Sequence, residues 1–392
     1  MSRTWKVAVV KDTAKPMLGL HGLHAAFRGL PRVEVVAHVD SNAANLDEKL
    51  SCTQAKRHYL TCDEMLERES PDIVVLTSRH PADHFPHIWA AAERGVHVYC
   101  EKPMTADLKE ADEIVALVER SGIKLCVAHP SRYGAGILTM KRMLERGDIG
   151  TPIAIHGRGK NDHRGGGEDL IVLGTHILDV QTFFLGAPDY VMAEVLTGGR
   201  PIRATDRQET VEPVGPAAGD EIFASFHFGN GVRGLFESKR SYRDPRDGVI
   251  HMGTTVIGTE GALSLRFSDI PRTDAPLMIG RQPGPLEAGT AFEPVPLQED
   301  RVIPGAEPLD ASLFPAPWFG EANRWAAMDL MQAIEEDRQP VSNASNARLA
   351  LEMIYGIYRS SLSRAVVEFP LADRRHPLQG KMGIEKSCSL ET

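Results

Sequence analysis

The first 130 residues alternate short apolar runs with stretches of helical periodicity, and this rhythm constrains the fold more than any other feature. Runs of this kind suit strands buried on both faces. Strands that alternate with helices pair in parallel, which predicts a doubly wound α/β domain. A loop and a helix are also expected between the first two strands. The predicted strands are residues 6–10, 33–39, 73–76, 96–100 and 124–128, and the predicted helices are residues 62–68, 88–94 and 108–121.

Beyond Gly150 the runs become longer and alternate apolar with polar residues. Such alternation favours an antiparallel sheet with one covered face. Two helices, residues 320–336 and 346–363, are predicted to close the fold. The alternating runs are residues 221–228, 232–238, 254–257 and 262–267.

Ten prolines lie between positions 271 and 317, which argues against a regular helix or a central strand there. We interpret this segment as a long surface excursion. The residues after Pro370 are predicted to form a poorly ordered tail. The predicted organisation is a first domain of residues 1–130, a second α/β domain of residues 131–370 and a tail of residues 371–392.

Composition excludes several classes of function. The chain carries 44 Lys and Arg against 53 Asp and Glu, a net charge of −9, which argues against nucleic-acid binding. No stretch approaches the roughly 20 apolar residues of a membrane helix, and the start of the chain lacks a signal-peptide core. The five cysteines show no CxxC or His/Cys ligand spacing, so neither a disulfide framework nor a metal site is expected. A cytoplasmic protein is favoured.

Asp40 ends the second predicted strand, where a carboxylate accepts hydrogen bonds from the ribose hydroxyls of a dinucleotide. The same charge repels a ribose phosphate, so NAD is expected and NADP is less favoured. The alternative is that Asp40 only starts a turn with Ser41 and Asn42.

The glycine fingerprint of dinucleotide-binding loops is missing after Val10. A pyrophosphate would then be held differently, with charge from Lys11 or Lys15, the hydroxyl of Thr13 and the N–H groups of the following helix. The alternative is an ordinary solvated loop.

Several motifs carry a resemblance to a known family. Thr77-Ser78-Arg79-His80-Pro81-Ala82-Asp83-His84 follows one strand, and the next ends at Glu101-Lys102-Pro103. With these motifs the chain resembles the Gfo/Idh/MocA family of NAD(P)-dependent sugar oxidoreductases. The resemblance continues at residues 125–133, 147–150, 174–179, 258–261 and 318–370.

The resemblance implies a Rossmann domain, a C-terminal α/β domain with a large, mostly antiparallel open sheet, a nicotinamide cofactor between them, and a homodimer or homotetramer. The second domain would bind the substrate, a carbohydrate. The cofactor contacts that we expect from the motifs are Thr77, Ser78, His80, His84, Glu101, Lys102 and Arg132.

The family's catalytic lysine falls on Lys102, whose ammonium would bind the reacting hydroxyl and favour its alkoxide as hydride leaves. The alternative is a lysine that only pairs with Glu101. The family's catalytic histidine falls on His176, which would take the hydroxyl proton; the alternative is a structural histidine. Both are also expected to bind substrate, together with Arg132.

The chain departs from the family four residues before that histidine, where Val172 replaces an aspartate. Valine neither orients an imidazole nor accepts a proton, so a neighbour must replace the carboxylate or the dyad is broken. Residues 160–169 contain three consecutive glycines, which let backbone approach a ligand closely, and several charged groups. From these we predict catalytic roles for Asp162 and His163 and substrate binding by Arg164 and Asp169. The alternative is a flexible charged loop.

Three functions compete. The first is an NAD-dependent dehydrogenase acting on a sugar, polyol or sugar derivative. The second is a redox-neutral glycoside hydrolase or lyase that oxidises, eliminates, adds water and reduces again, which suits the altered dyad. The third is a non-catalytic nucleotide or sugar sensor, suggested by the missing glycines.

Overall fold

The computed structural model describes residues 3–15, 21–241, 252–266, 276–281, 291–297 and 302–379. The N-terminal sheet has the strand order β3-β2-β1-β4-β5-β6, and every neighbouring pair is parallel, as the alternation predicts. This is the order of a doubly wound sheet, whose ligands bind at the carboxyl ends of the strands. The strands are β1 (Trp5–Val10), β2 (Val33–Val39), β3 (Arg57–Tyr59), β4 (Ile73–Leu76), β5 (His97–Cys100) and β6 (Leu125–Val127).

Capping side chains and left-handed glycines define the ends of helices in this structure, as α4 illustrates. In α4 the Asp107 carboxylate accepts the N–H groups of Lys109 and Glu110 at 2.8 and 3.1 Å, and Gly122 ends the helix at φ 73°. The helices are α1 (Leu46–Thr53), α2 (Cys62–Glu69), α3 (His84–Ala92), α4 (Leu108–Ser121), α5 (Ala135–Arg146), α6 (Gly167–Val172), α7 (Gly174–Leu185), α8 (Pro317–Glu335) and α9 (Ala344–Ser363).

The link between β1 and β2 differs from the prediction. Among its described residues, 11–15 and 21–32, the helical part is one 3₁₀ turn at Leu23–Ala25. Gly22 at φ 76° and Gly29 at φ 65° bracket this turn in left-handed conformations that interrupt an α-helix. The predicted helix is therefore wrong for these residues, and the helical N–H groups expected to hold a pyrophosphate are not formed by them.

The second sheet has the order β15-β14-β13-β12-β7-β11-β10-β8-β16, with β9 paired to β8. Its pairs are antiparallel except for β7 with β11. Phe226 of β10 is buried whereas Phe223 is 48% exposed, so one face is covered, as predicted. The strands are β7 (Pro152–Arg158), β8 (Pro188–Thr197), β9 (Arg200–Pro201), β10 (Glu221–Phe228), β11 (Arg233–Lys239), β12 (Gly253–Gly258), β13 (Ala262–Arg266), β14 (Leu277–Gly280), β15 (Phe292–Pro294) and β16 (Val367–Glu368).

The proline-rich segment is not only a surface excursion. Its described part contains β14 and β15, which extend the sheet beyond β13. Leu277 and Ile279 are buried against α5, because apolar residues alternate there between the prolines. Residues 271–275, 282–290 and 298–301 of the predicted excursion lie outside the described residues.

The long helix α9 joins the two halves. Ala347 and Leu351 pack into the core of the first sheet, while Ile354 and Ile357 pack into the core of the second. None of the helices in the described part of the chain is long and apolar enough to span a membrane. The domain boundary predicted at residue 130 stays a prediction.

The predicted poorly ordered tail is wrong for residues 371–379. The N–H of Leu371 donates to the Glu352 carboxylate at 2.7 Å, and His376 and Leu378 are buried. His376 packs edge-on against Tyr355 of α9. The apolar surface of α9 supplies the partners that a sequence pattern does not show. Residues 380–392 of the predicted tail lie outside the described residues.

Candidate active site

Lys102 follows β5 and is almost fully buried, with 3% of its surface exposed. Its Nζ donates to the carbonyl oxygen of Val172, at the end of α6, at 2.6 Å. Burial lowers the pKa of Lys102 to about 8, although the negative charges of Glu101 and Glu212 oppose this effect. The peptide bond to Pro103 is cis. A buried amine that titrates this close to neutrality is suited to acid–base chemistry.

Glu101 is buried beside Lys102. Its Oε1 accepts the N–H of Lys102 at 2.9 Å and lies 3.1 Å from Nδ1 of His21. Burial alone would raise the pKa of the Glu101 carboxyl, but His21 and Lys102 overcome this and lower it. The ionised carboxylate therefore steadies the charged form of Lys102. No contact of Glu101 with a cofactor is needed to explain its burial.

His176 lies in the first turn of α7 and is 7% exposed. Burial first, and then the charge of Lys102, lower the pKa of His176 well below its usual value, so the imidazole is neutral at pH 7. Its Nδ1 has no hydrogen-bond partner within the described part of the chain. The ring lies edge-on to that of His129, with centroids 5.3 Å apart.

A carboxylate does lie near this pair of imidazoles, but it follows His176 in the chain. Asp179 Oδ1 is 3.5 Å from Nδ1 of His129, and Nε2 of His129 is 3.2 Å from the hydroxyl of Thr175. The side chain of Val172 is buried and contributes nothing polar, while its carbonyl binds Lys102.

Arg132 is engaged with an acidic side chain and a backbone carbonyl. Its Nε and one terminal nitrogen each donate to the Asp179 carboxylate at 2.8 Å, and the other terminal nitrogen donates to the carbonyl of Val341 at 3.1 Å. The guanidinium is buried in these contacts. The predicted roles of Arg132 in cofactor and substrate binding therefore conflict with the structure, because the buried Asp179 carboxylate already binds the guanidinium.

Asp169 is fully buried one turn before Val172. Its Oδ2 accepts the N–H of Lys160 at 2.7 Å and the hydroxyl of Ser238 at 2.8 Å, and burial raises its pKa to about 6. Lys160 Nζ lies 4.0 Å from Oδ1. Asp169 thus ties the end of β7 to β11 from beneath the predicted loop, and its predicted substrate contact stays a prediction.

The turn at residues 161–165 conflicts with the predicted catalytic roles. Asp162 accepts the N–H of Arg164 at 2.9 Å and pairs with its guanidinium, so each satisfies the other. The side chain of His163 is 69% exposed. Neither Asp162 nor His163 contacts Lys102 or His176, and Arg164 is held by Asp162. The charges of Asp162 and Arg164 are therefore paired with each other within a tight turn.

The glycines in this segment also have a structural reason. Gly166 has φ 97°, and a Cβ there would lie 2.6 Å from the carbonyl oxygen of Gly219. A Cβ on Gly167 would lie 2.3 Å from that of Ala218. The backbone that approaches these glycines is the chain's own 218–220 segment. These close contacts are with the chain's own backbone, and the predicted close approach to a ligand stays a prediction.

The motif after β4 is mostly engaged with the protein. Thr77 donates its hydroxyl to the carbonyl of Val10 at 2.9 Å, and Ser78 donates to Asp83 at 2.6 Å. Both ring nitrogens of His84 lie against carbonyl oxygens, at 2.8 and 3.0 Å, which clamps the loop after β4 to the loop after β5. His80 Nε2 is buried without a partner among the described residues. Of these residues His80 remains the best candidate to meet a ligand.

Asp40 is fully buried at the end of β2. Its carboxylate accepts the N–H and hydroxyl of Thr13 at 3.0 and 2.7 Å, the N–H of Asn42 at 2.9 Å, and Lys49 Nζ at 2.8 Å. Burial would raise the pKa of Asp40, but these donors hold it below its usual range. The turn with Asn42 is thus formed, and Asp40 also anchors the loop after β1.

A cavity of about 330 Å³ opens beside Asp40, at the carboxyl ends of β1 and β2. Its lining includes Lys11, Thr13, Asn42 and Lys49, and the buried Nε2 of His38 has no hydrogen-bond partner within the described ranges. The residues present therefore fit the adenosine end of a dinucleotide. Lys15 lies outside this lining and pairs with Asp83.

Sequence reasoning missed three functional candidates. His129 adjoins His176, and an ion pair joins Arg79, after β4, to Glu212, between β9 and β10. Arg79 lies inside the motif of residues 77–84, so its position next to Ser78 could have suggested a functional role. Glu212 lies in irregular chain between β9 and β10, where no periodicity marks it.

Comparison with known proteins identifies the family. Residues 18–129 match the sequence profile of the Gfo/Idh/MocA oxidoreductase family, NAD-binding Rossmann fold, and residues 137–264 match that of the Gfo/Idh/MocA C-terminal domain. D-apiose dehydrogenase of Paraburkholderia graminis is 33% identical over 174 residues, which cover 42% of this chain and 46% of that protein.

A 2,7-anhydro-N-acetylneuraminate hydratase of Mediterraneibacter gnavus is 25% identical over 242 residues, which cover 60% of this chain and 61% of that protein. The chain spans about half the length of the curated relatives it matches. A solved structure of levoglucosan dehydrogenase with NADH and levoglucosan is similar with a TM-score of 0.72 at 19% identity, over 94% of this chain and 100% of that one. Both sequence profiles and this shared fold agree, and the chain belongs to the Gfo/Idh/MocA family of NAD-binding oxidoreductases.

Proposed function

We propose that this protein is an NAD-dependent oxidoreductase that moves hydride between a nicotinamide cofactor and a hydroxyl or keto carbon of a sugar or polyol. The observation that carries the proposal is the buried Lys102 at the carboxyl end of β5, whose Nζ donates to the carbonyl of Val172, four residues before His176. Relatives named for apiose and levoglucosan oxidation support a carbohydrate substrate.

Lys102 and His176 divide the proton chemistry between them. The bound nicotinamide supplies the hydride acceptor. With a pKa of about 8, Lys102 has a substantial neutral fraction near pH 8. Once its Nζ moves away from the carbonyl of Val172, this nitrogen accepts the proton of the substrate hydroxyl. His176 is neutral at pH 7, and its Nδ1, which has no hydrogen-bond partner among the described residues, holds the reacting oxygen by a hydrogen bond. Lys102 is therefore the better proton acceptor of the two, which reverses the roles expected from the sequence.

NAD is proposed over NADP because the Asp40 carboxylate stays ionised beside the adenosine cavity and repels a ribose phosphate. Lys11 and Lys49 line the same cavity and act against this preference. Titrating the protein with NADH and with NADPH decides between them, and tighter binding of NADPH would contradict the proposal.

The test is Lys102→Ala with Lys109→Ala, an exposed lysine on α4, as the matched control. Lys102→Ala should abolish sugar-dependent NADH formation and leave NADH affinity within about twofold, since Lys102 acts on the reacting oxygen. In the wild type, kcat/KM for oxidation should rise with pH through about 8. Full turnover by Lys102→Ala would refute the assignment.

A second candidate is the redox-neutral reaction in which transient oxidation permits elimination and water addition. The similarity to a hydratase over 60% of the chain favours keeping it. Denaturing freshly purified protein and identifying released nucleotide by mass spectrometry comes first. Retained NAD(H) together with glycoside cleavage and no net NADH would support this candidate, while net NADH accumulation would exclude it.

A homo-oligomer through the open face of the second sheet is also proposed. Met192 of β8 and Phe223 of β10 lie on that face and are 56% and 48% exposed. Light scattering after gel filtration tests this proposal, and a wild type that runs as a monomer would contradict it. The cytoplasmic location stays a prediction.

A further inference from the structure

The chain between β9 and β10 contains a loop that is closed at its base. Gln208 and Ala217 exchange backbone hydrogen bonds of 2.7 and 3.1 Å, which close the loop at its base. Val214 is buried in the core of the second domain. Residues 208–217, named here the 208–217 loop, are thus fixed at both ends and at one internal point.

Glu168 fixes the outer turn of the loop. Its carboxylate accepts the N–H of Val211 at 3.1 Å and the N–H of Glu212 at 3.2 Å. Thr210 donates its hydroxyl to the carbonyl oxygens of Glu212 and Gly215. The main chain of Glu212 is therefore held by contacts that do not involve its side chain, so this side chain is presented in a fixed direction.

That side chain reaches the other domain. The Glu212 carboxylate pairs with the guanidinium of Arg79, and the two side chains are 18% and 11% exposed. Nε of Arg79 is buried without a partner within the described part of the chain. Burial lowers the pKa of both Lys102 and Lys160, and the charge of Glu212 opposes that effect at each of them. The Glu212 carboxylate thus lies near three cations, Arg79, Lys102 and Lys160, which follow β4, β5 and β7 respectively.

A carboxylate has about four acceptor positions, more than one guanidinium uses. Sugars and polyols are rich in hydroxyl donors, and a charged acceptor held in place binds such donors strongly. A substrate carboxylate at these positions would instead lie directly against the like charge of Glu212. The three nearby cations are already engaged, because Arg79 pairs with Glu212, Lys160 lies 4.0 Å from the Asp169 carboxylate and Lys102 donates to the carbonyl of Val172. We propose that Glu212 is a substrate-binding and specificity-determining residue, which accepts hydrogen bonds from substrate hydroxyls and selects neutral sugars and polyols over sugar acids.

This inference rests on the proposed function, and its primary test measures binding so that it does not depend on turnover. Calorimetry on NADH-loaded protein would compare D-apiose, levoglucosan and myo-inositol with D-gluconate and D-glucuronate. The wild type should bind at least one neutral compound more tightly than either acid. Glu212→Gln should weaken that binding, or raise its KM, by about 10- to 100-fold, and should narrow the preference over the acids at least tenfold.

Glu209→Gln is the matched control, because Glu209 lies in the same loop and is exposed. It should leave binding, KM and kcat unchanged. NADH affinity should be equal in wild type and both variants, since Glu212 acts on the substrate. If Glu212→Gln lowers the melting temperature, Glu212→Asp, which keeps the charge, should show intermediate binding with the melting temperature restored.

Three results would overturn the inference. In the first, the wild type prefers the acids or binds no neutral compound. In the second, Glu212→Gln binds the neutral compounds as tightly as the wild type does. In the third, the Arg79→Glu/Glu212→Arg double variant retains full activity. The last would make the ion pair a lock between domains. By contrast, tight neutral-sugar binding without any NAD-linked turnover would refute the proposed function and leave the role of Glu212 in place.

Discussion

Replacing the buried Lys102 by methionine should change the pH dependence of folding stability in a defined direction. Burial lowers the pKa of Lys102 from the usual 10.5 to about 8, so between these values the unfolded chain holds one more proton than the folded chain. The stability contributed by the neutral amine is therefore fully present above pH 10.5 and is lost as the pH falls through about 8. The free energy of unfolding of the wild type, minus that of Lys102→Met, should rise with pH.

The magnitude follows from the same two values. Each pH unit in this window adds about 1.4 kcal/mol, so the whole window is worth about 3 kcal/mol. Between about pH 7.5 and about pH 9.5 the difference should grow by about 2 kcal/mol. A change of this size is a large part of the stability of an ordinary domain.

Urea unfolding at several pH values measures this difference. Trp5, fully buried in the sheet that carries Lys102, reports unfolding of that domain by fluorescence. Lys109→Met is the control, because this lysine is exposed and solvent stabilises its charge in both states. A wild-type minus Lys102→Met difference that stays constant or falls with pH would refute a buried, readily deprotonated Lys102, and with it the acid–base role.

Two further predictions concern buried carboxylates. The pKa of Asp169 is raised from 3.8 to about 6 by burial, so its stabilising contribution is present at low pH and is lost as the pH rises through about 6. Relative to Asp169→Asn, the free energy of unfolding of the wild type should fall by about 2 kcal/mol from about pH 4 to about pH 7. Urea unfolding measures this difference, and a difference that does not change with pH would contradict the prediction. Arg132→Lys should lose the two-pronged contact with Asp179 and about 2 kcal/mol of stability. A raised KM at unchanged melting temperature would instead restore the predicted role of Arg132 in substrate binding.

Much of the fold could be predicted from local sequence. Period and length identified β4 and α4 at their observed bounds, because buried parallel strands and an amphipathic capped helix leave patterns that do not depend on distant residues. The same patterns indicated one covered face for the second sheet. The prediction was wrong for the link after β1, for the described part of the proline-rich region and for residues 371–379. The first two contain residues that break regular patterns, whereas the order of the third depends on contacts with α9.

The site divides in the same way. Lys102 could be found from the sequence because the end of a parallel strand fixes where a ligand-facing residue lies, and the family motif marks it. The sequence also supplied the charged residues around Val172, but not which of them are free. Asp162 and Arg164 satisfy each other within one turn, so neither reaches the site.

Tertiary structure alone decided the partners. The Asp179 carboxylate binds Arg132. The 208–217 loop places Glu212 against Arg79, which lies 133 positions earlier in the chain. A buried charge must find an opposite charge or a set of hydrogen bonds, and the nearest one in space depends on how the two sheets pack around α9. The sequence by itself determined which residues can do chemistry, whereas the packing decided which of them remain available for it.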